Sequence, residues 1–127
     1  MAILPLAETA SPVAVPILRQ GRLLIASVQE ALTDLELADL RDELARRAGD
    51  AATSAVIVDV SMLDVVDSYA ARTLSSIAQV LRLRGAETVI VGIQPEVAFS
   101  MSQLGLTLEG ARTALDLDAA SELLEGL

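Results

Sequence analysis

Few residue types in this chain of 127 residues are able to do chemistry. It contains no Cys, His, Lys, Trp or Asn, which excludes thiolate nucleophiles, imidazole bases, the usual zinc ligand sets and the lysines of Schiff bases and phosphate loops. Nine Asp, nine Glu, nine Arg, Tyr69 and the Ser and Thr hydroxyls remain. An ordinary hydrolase or transferase is disfavoured by that inventory, and the chain reads as a non-enzyme. The most informative hydroxyl is Ser68, at the end of Asp64-Val65-Val66-Asp67-Ser68. Asp67 is placed to cap a following helix, leaving Ser68 in the first turn, where backbone N–H groups are free and the helix dipole is positive. Such a position tolerates a phosphate. Phosphorylation would add about −1.5 to −2 charge beside Asp64 and Asp67 and change the surface that a docking partner meets. The plain alternative is that Ser68 is an ordinary first-turn serine, because Ser is common at helix starts. Spacing alone does not choose between them.

Two further readings use the same region. Asp59, Asp64 and Asp67 form a candidate Mg²⁺ cluster, since hard cations prefer carboxylate oxygens. A phosphoacceptor of the receiver type would also need a late lysine, which this chain lacks, and Arg is an imperfect substitute. Solvated loop acids with Asp67 as a cap are the simpler explanation, so no metal ligand and no cofactor are assigned. Gly92-Ile93-Gln94-Pro95-Glu96 joins a strand to a helix and is expected on the same rim of the sheet as residues 64–68. Together the two loops make one docking surface; a small-ligand crevice there is the rival, though no Gly-rich phosphate loop accompanies it. Arg41, Arg46, Arg47, Arg82 and Arg84 read as solvated helix faces pairing with nearby acids.

The elements that must position these loops follow from the hydrophobic pattern. Apolar residues make up 53% and aromatics 2%, so the core is built from Leu, Val, Ile and Ala, and the length suits a single domain. Extended runs alternate with segments of helical period, which predicts an α/β fold. The runs 16–19 and 22–27 flank Gln20-Gly21 as a hairpin. Thr33 with Glu36 forms a capping box for a helix carrying Leu37, Leu40, Leu44, Ala45 and Ala48 until Gly49. Residues 55–60 read as a central strand covered on both faces. A helix after Asp67 buries Ala70, Leu74, Ile77, Ala78 and Leu81 and stops at Gly85. A strand over 88–92 leads to a helix opened by Pro95, with Val97, Ala98, Met101 and Leu104 inward until Gly105. A last strand near 113–115 precedes a helix capped by Asp116, with Leu117, Ala120, Leu124 and Leu127 on one face. Residues 1–13 read as a leader and 14–127 as the domain.

The net charge of −9 repels phosphates, which disfavours nucleic acid and anionic membranes and favours a protein partner. The start of the chain lacks the basic segment of a secretory signal, and no run approaches the ~20 apolar residues of a membrane span. A cytoplasmic location is expected. Exposed apolar surface on the leader and strand pair is a candidate for self-association.

The strand over 55–59, the segment Asp64-Val65-Val66-Asp67-Ser68 and the turn Gly92-Ile93-Gln94-Pro95-Glu96 resemble the STAS domain family of anti-sigma-factor antagonists and sulfate-transporter tails. With Leu104-Gly105 and Thr113-Ala114-Leu115-Asp116-Leu117, the pattern is similar to the RsbS-type scaffolds of the bacterial stressosome, over about residues 14–125. The resemblance implies one mixed central β-sheet with helices packed mainly on one face. It also implies a role: a scaffold holds a serine kinase of the RsbT type and releases it when the serine matching Ser68 is phosphorylated, within an assembly shared with RsbR-type paralogues. Asp64, Asp67, Ser68, Gln94, Pro95 and Glu96 would form the partner surface. Ser100 falls where related paralogues carry a second phosphorylatable residue. Tyr69-Ala70-Ala71-Arg72 replaces the Ser-Gly-rich stretch that usually follows the serine in single-domain antagonists, which favours the stressosome group. The length leaves no room for an added sensory domain, placing signal sensing in another subunit. The alternatives implied are a stand-alone anti-sigma-factor antagonist that binds an anti-sigma kinase and a STAS domain that binds a small ligand or Mg²⁺.

Overall fold

The structure is a computed structural model that describes residues 15–50 and 52–125. The leader and Leu127 therefore lie outside the described residues. The chain runs β1 (Ile17–Gln20), β2 (Leu23–Ser27), α1 (Asp34–Asp50), β3 (Ala55–Asp59), α2 (Ser68–Leu83), β4 (Glu87–Val91), α3 (Pro95–Gln103), β5 (Arg112–Ala114) and α4 (Leu117–Glu125). The sheet order is β1-β2-β3-β4-β5. β1 pairs antiparallel with β2, and every later pair is parallel.

That topology explains the layering. Strands added in one direction by right-handed crossovers place each connecting helix on the same side of the sheet. On that side Leu24, Ala26, Val56, Val58 and Ile90 meet Leu40, Leu44, Leu74, Ile77 and Leu81 in the main core. α3 lies beside the start of α2, where Val97 and Met101 pack on Val66 and Ala71. No strand follows β5 among the described residues, so α4 is free to return over the opposite face. There Ala120, Leu123 and Leu124 cover Ile57, Val89 and Val91. β3 is thus buried from both sides, as its unbroken apolar run predicts. No helix among the described residues is long and apolar enough to cross a membrane.

Several boundaries and faces differ from the sequence reading. The hairpin turn is Gly21-Arg22, because Gln20 already pairs with Leu23. α1 continues through Gly49 to Asp50. Within α2 it is Ala71 and Thr73 that are buried, and Ala70 is partly open. Ala98 is exposed and Leu104 is 67% exposed, since a nine-residue helix touching one neighbour buries only a narrow i, i+4 stripe, here Val97 and Met101. Leu115 lies past the end of β5 and is 86% exposed.

Candidate functional site

The carboxyl ends of β3 and β4 carry the two loops of interest, and three backbone hydrogen bonds prolong the ladder into them. Val28 N donates to Asp59 O at 2.9 Å, Val60 N to Val91 O at 3.0 Å and Gly92 N to Ala114 O at 3.1 Å. In the β3–α2 loop Asp59 folds back, its Oδ1 accepting from Ser61 N at 2.9 Å. Val66 turns inward and Leu63 is half-buried, while Met62 and Val65 face solvent at 65% and 72% exposure. Asp67 is the N-cap of α2, with extended backbone, and its Oδ1 accepts from Ala70 N at 2.8 Å. Ser68 is the first helical residue and is exposed. Its hydroxyl is accessible at a backbone position that the cap holds fixed.

The β4–α3 loop is drawn against the first. Gly92 has φ +81, and a Cβ placed there would lie 2.6 Å from Ser61 Cβ and 3.0 Å from Ser61 Cα. Only a residue without a side chain permits that approach. Gln94 then spans the gap: its Nε2 donates to Ser61 O at 2.8 Å and stands 3.5 Å from Asp64 Oδ1. Pro95 opens α3 as anticipated, while Gln94 makes no side-chain cap bond. Of the six residues expected at a partner surface, Asp64, Asp67, Ser68, Pro95 and Glu96 are exposed and Gln94 is half-buried. Ser100 is exposed on α3.

The metal alternative finds no support in the geometry. Among the described residues, no three acidic side chains gather as a cation site, and Asp59 and Asp67 each spend an oxygen on a backbone N–H. A shallow cleft of about 310 Å³ does open at the strand ends, lined by Asp59, Ser61, Gly92, Leu115, Asp116 and Asp118. Its lining carries three carboxylates and no cation, a poor match for the phosphate of a nucleotide. Arg46 and Arg47 pair with Glu43 on α1, but Glu43 itself is 5% exposed, a buried acid that periodicity did not reveal. Met62 and Val65 were missed too. The signal for them was present: five apolar residues in the eight-residue loop 60–67 exceed what one side of a loop buries, so some must face out.

Comparison with known proteins follows the same outline. The STAS domain family profile matches residues 14–120. The RsbT co-antagonist protein RsbRC of Bacillus subtilis is 40% identical over 68 residues, 52% of this chain and 24% of that protein. The chain therefore spans about a quarter of the length of that relative. Among solved structures, a serine-to-glutamate variant of RsbS from Moorella thermoacetica superposes with a TM-score of 0.76 at 31% identity, covering 89% of this chain and 96% of the other. A chain from a structure of the stressosome, described as a signal integration and transduction hub, gives a TM-score of 0.71 at 30% identity, with 87% and 96% covered.

Proposed function

The chain belongs to the STAS domain family, and from that premise we propose that it is a non-enzymatic phospho-switch of the stressosome. It holds a serine kinase of the RsbT type while Ser68 is free and releases the kinase once Ser68 is phosphorylated. One observation carries the reading: the exposed Ser68 hydroxyl follows directly on a cap whose carboxylate is already engaged, on a rim that Gln94 ties into a single surface. A kinase reaching Ser68 must cover Asp64, Asp67, Pro95 and Glu96 as well. Phosphorylation puts a strongly hydrated anion into that contact, and the interface would have to strip its water and set it against the nucleotide phosphates of the kinase. Release follows from that cost. The relatives support the reading by name, since one is an RsbT co-antagonist and another is RsbS.

Paralogues of the RsbR type and further copies of the chain are the other partners in this reading. Leu18 is 56% exposed on β1, beside Leu23 and Ile25 in a groove that α4 leaves open. Association through it would bury apolar surface. Incubation with the kinase and ATP, followed by peptide mapping, tests the switch: one phosphate should appear on Ser68 and none on a Ser68→Ala variant. The same map reads Ser100. A kinase that is active on another protein but leaves Ser68 unmodified overturns the proposal.

A further inference from the structure

Beside Ser68, on the flank of α2 that faces α1, lies a feature the switch itself does not use. An apolar crevice of about 110 Å³ opens between the segment leading into α1 and the β3–α2 loop, lined by Val28, Leu32, Leu63, Val66 and Leu74, with Asp67 its single charged lining residue. A cavity of about 150 Å³ holds benzene, so this one suits an aliphatic side chain of about four heavy atoms. Its lip is apolar too: Val65, which lines it, is 72% exposed, and Met62, in the same loop, is 65% exposed. A small molecule inside would leave both in water, whereas a protein surface would cover them.

The charge around the mouth is predominantly acidic. Glu30 and Asp34 on the first segment and Asp64 and Asp67 on the second are all exposed. The described stretches 28–37 and 60–71 contain no Arg, and Arg41, one turn beyond Leu37 on α1, is already paired with Asp42 at 3.1 Å. Arg72 follows, but it sits two residues from both Ala70 and Leu74, which line the crevice, and helical geometry turns it about 160° away. An acidic ring around an apolar socket selects a basic surface bearing an apolar knob.

We propose that this crevice is a docking socket for one Leu, Ile or Met side chain of the partner kinase, flanked there by Arg or Lys that meet Glu30, Asp34 and Asp64. The inference rests on the kinase-holding reading above and adds to it an anchor separate from the phosphoacceptor. Asp67, which lines the crevice, directly precedes Ser68, so a partner that covers the start of α2 reaches both.

Calorimetric titration with the RsbT-type kinase tests the socket. Val65→Asp places a charge at an exposed lip, and Ala31→Trp blocks the mouth from another exposed lining position. Leu83→Asp, at a residue 88% exposed at the far end of α2, is the control. Seating one aliphatic side chain supports a loss of about 10-fold or more in both socket variants and none in the control, with wild-type affinity falling as salt rises. Wild-type affinity in both variants overturns the socket, provided that thermal melts show them folded. So does a Val65→Asp change that splits a dimer of this chain without altering kinase affinity, because the occupant is then a second copy. If the wild-type protein is captured and released on phosphorylation while the variants behave alike, only the socket falls. If the wild-type protein never binds the kinase, the switch reading falls with it.

Discussion

Replacing Gly92 by Ala should cost more than backbone strain alone, and Gly85 provides the comparison. Both residues have positive φ, +81 and +85, a region that costs an L-residue about 1–2 kcal/mol. At Gly85 an added Cβ meets nothing within 4 Å, whereas at Gly92 it falls 2.6 Å from Ser61 Cβ, 3.0 Å from Cα and 3.2 Å from N. Carbon atoms prefer about 3.5–4.0 Å, so Ser61 would have to retreat by about 1 Å. It is not free to do so: its N–H is held by Asp59 and its carbonyl accepts from Gln94. Overpacking of this kind adds about 1–3 kcal/mol. Gly85→Ala should therefore lose about 1–2 kcal/mol and Gly92→Ala about 2–5 kcal/mol. Equilibrium urea unfolding followed by far-ultraviolet circular dichroism resolves that gap, since slopes for small proteins are about 1–3 kcal/mol/M. Gly92→Ala with Ser61→Gly should recover part of the loss by removing the 2.6 Å contact. Equal losses at Gly85 and Gly92 would refute the close-approach reasoning.

Asp67→Ala removes the acceptor for Ala70 N and should lower stability by about 1 kcal/mol, read as a drop in Tm; an unchanged Tm would show that the cap contributes nothing. Ser68→Asp should weaken kinase capture, while Ser68→Ala should bind and fail to release, and equal affinities in a titration would contradict the switch. Burial of Glu43 works to raise its carboxyl, but hydrogen bonds from Arg47 and Arg46 and their charges outweigh it, leaving the group below the ordinary Glu range. A depressed folded value means that this stabilisation is complete above the unfolded Glu value of about 4.3 and is lost as pH falls through the folded one. Glu43→Gln should consequently flatten the fall of Tm in acid, and parallel profiles would remove Glu43 from the acid response.

Local signals were the legible part of this fold. The Thr33 and Glu36 capping box forms in both directions, Thr33 N to Glu36 Oε1 at 2.9 Å and Glu36 N to Thr33 Oγ1 at 3.1 Å. Asp67 and Asp116 cap their helices through backbone N–H groups three residues on. These depend on a few adjacent residues, so sequence order carries them. The alternation of strand with helix and the first hairpin are likewise local, whereas the mixed sheet is what the family resemblance implies. What was hidden depends on which surfaces meet. Leu104 and Leu115 are apolar enough for a core, yet nothing in the described residues covers them. Thr73 is polar but buried, its hydroxyl turned back to Tyr69 O at 2.9 Å. At the site, the types and order of Asp67, Ser68 and Gln94 were readable; the crevice beside them exists only after α1 and α2 pack.

Native mass spectrometry of the purified protein with its RsbT-type kinase, before and after ATP, tests the central claim most directly. The switch predicts a complex that forms without ATP and dissolves in step with the appearance of one phosphate on Ser68. A complex that survives full phosphorylation of Ser68, or that never forms, would contradict it.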